Sequence, residues 1–351
     1  MPALSDREVI NSIQTNLARL LGVEVDDIHV FFESPDLQAS QHGPAIIAEA
    51  AGFRFDIIWK TSASLPSVAS GIDHLKRMAY LLPMDVIPLL VVPYMTSTGA
   101  QRCEDERIPW LDLSGNAHII APKLRLHVEG KSNQFTRRGR PPNVFAPKSS
   151  RITRHVLRFP ERTFLQKEIA EATGLSEGYT SRVVSRLESL RLLHRDEAGA
   201  VGASDPALLL DSWLENYRFD KHRIRRGTVA ARSGPELMER VAEIFHARKI
   251  DYALTGLSGA WLVDGFANFR TATFYLRAPL GADDEKALRF HEGQRGANLW
   301  LVTPNDEGVF QGAKTRNGFE HVHPIQMVLD LKDHPERSAE AAEHLRQTLF
   351  P

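Results

Sequence analysis

Val9, Ile10, Ile13, Leu17, Leu20 and Leu21 recur at helical spacing across Asp6–Leu21, which predicts an amphipathic helix. The period then changes. In "AIIAEAAGFRFDIIWKTSA", Phe53, Phe55, Ile57 and Trp59 alternate with Arg54, Asp56 and Lys60. That is strand material, with Arg54, Asp56 and Lys60 expected on an ordinary solvated face. A helix-like run over 67–82 stops before Pro83, "VIPLLVV" suits a buried strand, and "LRLHVEG" reads as another strand. The alternation of strand and helix predicts an α/β domain ending near Gly130. Farther along, 151–157 and 236–249 read as helices. "DYALTGLSGAWLV" and "TATFYLRA" read as strand, small-residue turn or helix, and strand, and a helix from about Ser338 to Leu349 closes the chain.

The stretch "QKEIAEATGLSEGYTSRVV", residues 166–184, reads as two short helices around a glycine. Ala170 is small where the helices cross, and Gly174 suits the left-handed conformation of a tight turn. Ile169 and Leu175 fill the joint, and Ser176 is a good N-cap. Val183, Val184, Leu187 and Leu190 give the second helix a buried stripe, and Thr180 stands where an aliphatic residue would pack better. The opposite face carries Ser176, Glu177, Gly178, Ser181, Arg182, Ser185 and Arg186, small and polar enough to approach base edges and phosphates. Arg182, with Ser181, is expected to read bases, and Arg186 to meet a phosphate. "LRLLHRDEAGAVGAS" then predicts two short strands around residues 196–199, a wing with His194 and Arg195 at its base. A winged helix-turn-helix over 150–215 is expected, binding double-stranded DNA as a homodimer on a pseudo-palindrome.

Charge sharpens that expectation. The 351 residues carry a net charge of −1, so a nucleic-acid surface must be local. Residues 131–160 hold eight basic side chains and no acid: Lys131, Arg137, Arg138, Arg140, Lys148, Arg151, Arg154 and Arg158. With "RRGRPPN" and "APKSS" this region reads as a basic linker, 131–149, leading into the helices and contributing phosphate contacts. A second basic cluster is "YRFDKHRIRRG". The single cysteine, Cys103, excludes a disulfide framework and Cys-based zinc sites. "MPALSDREVI" has no secretory pattern and no run is long enough to span a membrane, so a cytoplasmic protein is expected.

Several other residues could carry chemistry, and each has a plainer explanation. His321 and His323 at i, i+2 fall on one strand face without further ligands. Ser114 and His118 lack a third partner and a nucleophile elbow. "CEDER", beginning at Cys103, reads as a solvated helix end, and Trp59, Trp110 and Trp261 as core.

The flanking segments resemble enzyme folds. The first, 1–130, resembles the restriction-endonuclease-like superfamily. Where active members place an acid two residues before lysine, this chain has Ile58-Trp59-Lys60. A nuclease built on Glu49, Asp56 and Lys60 is the enzymatic alternative. The last, 216–351, resembles the nucleotidyltransferase fold through "LTGLSGAWL". Its next strand, "TATFYL", lacks the paired acids that hold magnesium. No enzymatic activity and no cofactor are therefore expected. The strings "VVPYMTSTGAQRCEDERIPWLDLSGNAHI", "ALTGLSGAWLV" and "HPIQMVLDLKDHPERSAEAAEHLR" resemble the AbiEi-type family of type IV toxin–antitoxin regulators, and the three-part layout is similar to that of plasmid-borne winged-helix proteins of phytopathogenic bacteria. The resemblance implies an autorepressor that binds its own promoter, with a nucleotidyltransferase toxin as a possible partner.

Overall fold

Ser5 and Gly22 bracket the first helix, α1 (Asp6–Leu21). Ser5 and Glu8 form a reciprocal capping box, and Gly22 ends the helix at φ 71°. The structure is a computed structural model and describes residues 4–32, 46–79, 83, 85–135, 143–332 and 334–350. The chain divides into two units, residues 1–141 and 142–351, each mixed α/β.

In the first unit, β1 (His29–Phe32), β2 (Ile46–Ala50) and β3 (Phe53–Trp59) form an antiparallel meander. Helix α2 (Leu65–Ala79) crosses to β4 (Val86–Val92), parallel to β3, and α3 (Ser97–Asp105) crosses to β5 (Trp110–Asp112), parallel to β4. The antiparallel strands β6 (Ala117–Ala121) and β7 (Leu124–Val128) complete a seven-stranded sheet in sequence order. On one face α1 packs Val9, Ile13 and Leu17 against Phe55, Ile57 and Leu89. On the other, Val68, Ile72 and Cys103 of α2 and α3 pack against Ile58, Leu90 and Trp110.

That second layer changes the reading of β3. Asp56 and Ile58 are 6% and 7% exposed, so the expected solvated face is buried. Lys60 is half-buried, with its Nζ 3.4 Å from Ser70 Oγ on α2. Only Arg54 is exposed as expected. In the "CEDER" segment Glu104, Asp105 and Arg107 are exposed at the end of α3 as expected, but Cys103 is fully buried, and burial pushes its thiol up to about 12.

The second unit opens with α4 (Ser150–Leu157), α5 (Gln166–Thr173) and α6 (Glu177–Ser189), followed by an antiparallel hairpin of β8 (Leu193–Arg195) and β9 (Val201–Ala203). Next come α7 (Pro206–Asn216), β10 (Arg223–Thr228), α8 (Gly234–Ala247), β11 (Tyr252–Thr255), α9 (Gly256–Asp264) and β12 (Ala272–Leu276). The chain continues through α10 (Ala282–Leu288), β13 (His291–Glu292), β14 (Leu299–Thr303), β15 (Lys314–Arg316) and β16 (Phe319–His321). It ends with α11 (Pro324–Leu331) and α12 (Ser338–Leu349). The mixed sheet runs β13-β10-β14-β12-β11-β16-β15. Helix α11 packs against α9, α12 and α4, tying the first helices to this sheet.

The second basic cluster lies largely inside this fold. It contains strand β10, in which Arg225 pairs with Glu285 and Glu292, and Arg226 lies 4.6 Å over the Trp300 ring. His321 closes β16, whereas His323 is the N-cap of α11, its Nδ1 accepting from the Ile325 amide at 3.3 Å. The two histidines therefore do not share a strand face. Among the described residues, no group of three or more His, Cys, Asp or Glu is arranged to hold a metal, and no helix is long and apolar enough to cross a membrane.

Candidate nucleic-acid interface

The two helices expected from "QKEIAEATGLSEGYTSRVV" are α5 and α6, and local chemistry fixes both ends of their joint. Glu168 accepts the Leu165 amide at 2.7 Å to start α5. Gly174, at φ +66°, ends it and lets Leu175 N donate to Ala170 O at 3.0 Å. Ser176 caps α6 by accepting from Tyr179 N at 3.4 Å. Ile169, Leu175, Val183, Val184 and Leu187 are buried. Thr180 is buried as well, and its hydroxyl has no hydrogen-bond partner among the described residues.

The outward face of α6 keeps the expected residues together. Ser176, Glu177, Gly178, Arg182, Ser185 and Arg186 are exposed, and Ser181 is half-buried. Lys148, just before α4, is exposed too. Among the described residues, no carboxylate pairs with Lys148, Arg182 or Arg186; Arg186 only reaches Ser189 Oγ at 3.4 Å. Tyr179 was not singled out by its sequence position, yet it organises this edge. Its hydroxyl is 2.7 Å from Ser149 Oγ, and both Lys148 Nζ (5.6 Å) and Arg182 Cζ (5.9 Å) lie over its ring. Sequence spacing cannot disclose this contact, because Ser149 and Lys148 precede a different helix.

The hairpin after α6 falls where the wing was expected, with His194 exposed. Arg195 does something other than await a phosphate. Its Nε and Nη2 donate to the two Glu188 oxygens at 3.0 Å each, and its Nη1 donates to Gly199 O at 2.7 Å. It fastens the hairpin to α6.

Two other cations expected at the phosphate surface lie elsewhere. Arg151 donates Nε and Nη2 to Asp306 at 2.7 Å each, and its Nη1 reaches the Thr173 carbonyl. Arg154 is 2% exposed, covered by α7 and α11. Burial, not an anion, sets its environment, lowering its guanidinium to about 10. Arg137, Arg138 and Arg140 lie outside the described residues.

Arg154 opens a buried polar chain. Its Nη2 donates to Gln326 Oε1 at 2.6 Å, and Gln326 Nε2 donates to Asp330 Oδ1 at 2.7 Å. The indole of Trp213 lies 4.9 Å from the guanidinium carbon. Asp330 also accepts from Tyr217 OH (2.5 Å), Tyr275 OH (3.0 Å) and Thr255 Oγ1 (2.5 Å). Burial raises its carboxyl to about 6 despite those donors. Asn305 N donates to His222 Nδ1 at 3.1 Å, so the neutral ring carries its proton on Nε2, facing the Tyr217 hydroxyl at 2.8 Å. Burial followed by the Arg154 charge lowers His222 to about 4. Nearby, Thr273 N donates to Ser258 Oγ at 3.0 Å and Thr273 Oγ1 meets His334 Nε2 at 3.0 Å. The start of α9 and one face of β12 are thus occupied by the protein's own side chains.

Comparison with protein-family models, with curated proteins and with solved structures finds no match to this chain.

Proposed function

We propose that this chain is a transcriptional regulator that binds double-stranded DNA through α6, with α4–α6 and the β8–β9 hairpin acting as a winged helix. One observation carries the reading: the exposed face of α6 joins small residues, Gly178, Ser181 and Ser185, to the cations Lys148, Arg182 and Arg186, none of which has a carboxylate partner among the described residues. Small residues permit close approach to base edges, and cations without carboxylate partners can take phosphates. A short reading helix covers one half-site, so binding as a homodimer is part of the proposal. Autorepression, as in AbiEi-type regulators, is its natural use.

The flanking parts are read as non-catalytic. The order α1, meander β1–β3, α2, parallel β4 supports a restriction-endonuclease-like first unit. Its Glu49 pairs with Arg54 at 3.8 Å, and Asp56 is buried. The order β11, α9, β12 supports a nucleotidyltransferase-like outline, in which β12 offers Thr273 and Tyr275 but no acid.

The test is a gel shift with duplexes from its own upstream region, alongside selection from a random-sequence pool. Selective binding with steep salt dependence is expected. The absence of any selected sequence would refute the reading. Co-purification with a nucleotidyltransferase encoded beside it would add the antitoxin role.

A further inference from the structure

We propose that Tyr179 joins Lys148 and Arg182 into one clamp for a DNA phosphodiester, so that Arg182 grips backbone rather than reading a base. This rests on the winged-helix reading and sharpens it.

The geometry of α6 separates its exposed surface into two rows. Residues three and four apart are neighbours on a helix. Tyr179, Arg182 and Arg186 therefore form one row, and Gly178, Ser181 and Ser185 another beside it. The first row faces the start of α4: the Tyr179 hydroxyl is 2.7 Å from Ser149 Oγ, so the ring is held by two helices. The second row runs toward the hairpin, where Arg195 holds Glu188.

The ring of Tyr179 draws in two cations from different chain segments, Lys148 at 5.6 Å and Arg182 at 5.9 Å. Each is attracted to the ring, yet they repel one another, and no carboxylate among the described residues pairs with either. Such a pair lacks an anion, and a phosphodiester supplies a single negative charge of suitable size. An arginine drawn toward Tyr179 and Lys148 is directed to the rim of the helix, where a duplex presents backbone. Base edges then meet the small row, with Glu177 at its head able to accept from cytosine.

The experiment starts from the sequence that the wild type selects from random duplexes. Binding of wild type, R182A, K148A, Y179L and Y179F is then measured on selected and scrambled duplexes across a salt series. R182A and K148A should each make the log–log salt slope shallower by about 0.9, the loss of one phosphate contact. Both should weaken selected and scrambled duplexes by the same factor, and R182A should reselect the wild-type sequence. Y179F keeps the ring and should keep the slope, whereas Y179L should lose more slope than either cation variant alone. If R182A reselects a sequence degenerate at one base pair with the slope unchanged, Arg182 reads a base and the clamp is wrong. A wild-type slope in Y179L removes the role given to the ring. Failure of the wild type to select any sequence overturns the winged-helix reading itself, which separates the two failures.

Discussion

The guanidinium of Arg154 donates to the side-chain carbonyl of Gln326 at 2.6 Å, and both residues are buried. Gln326 passes that bond on to Asp330 at 2.7 Å, so a cation and a carboxylate share an amide between them without touching. Nε and Nη1 of Arg154 have no hydrogen-bond partner among the described residues, and the Trp213 ring lies against the guanidinium. Removing the cation therefore leaves a buried carboxylate uncompensated. Arg154→Ala should destabilise the second unit by roughly 3–5 kcal/mol. Arg154→Met, which keeps volume against Trp213 but removes the same charge, should lose nearly as much. Chemical denaturation of the two variants tests this; a much smaller loss in Arg154→Met would mean that packing, not charge, matters here.

Acid should unfold the second unit through its histidines. His222 and His323 sit near 4 when folded, below their ordinary 6.5, so the stability they contribute is complete above 6.5 and lost as pH falls through 4. Asp330 has the opposite sign. Its folded value of about 6 exceeds the ordinary 3.8, so its contribution is greatest below 3.8 and is lost as pH rises through 6. With two strongly lowered histidines against one raised carboxyl, stability should fall from pH 6.5 to 4. Denaturant midpoints across that range should show a shallower fall in His222→Gln and a steeper one in Asp330→Asn.

Thr180 offers a gain. Its buried hydroxyl has no hydrogen-bond partner among the described residues, so Thr180→Val should stabilise the protein by about 1 kcal/mol. Thermal melting checks the sign. Because Thr180 faces inward, DNA affinity should not change.

Arg195 separates a brace from a phosphate contact. All three of its guanidinium nitrogens donate within the protein. Arg195→Ala should leave the salt slope of DNA binding unchanged. A double-mutant cycle with Glu188→Ala should give a coupling of up to about 1 kcal/mol, the scale of a partly exposed pair.

Elements with a clean period were legible in the sequence. Residues 6–21 and 338–349 are helices over the spans their spacing predicted, and the hairpin around 196–199 followed from its glycine and flanking apolar residues. Strand β10 was hidden because Arg223, Arg225 and Arg226 give it the look of a charged loop; the partners of Arg225 and Arg226, Glu285, Glu292 and Trp300, come from later in the chain. Arg154 misled for the same reason. It sits in a run of cations, and only Gln326, 172 residues away, shows that it points inward. On β3, alternation identified the strand but could not show that α2 and α3 would cover its polar-looking side.

The attachment of α4 to α11 and α7 decides what can be transplanted between proteins. Cutting out residues 143–203 would expose Arg154 and the apolar flank of α4, so those helices are poor candidates for a portable module. The small row of α6, Gly178, Ser181 and Ser185, is different, because none of its side chains belongs to the buried stripe. If α6 meets base edges through its small row as proposed, sequence preference should follow Gly178, Ser181 and Ser185, which can be exchanged with the buried stripe beneath them left untouched.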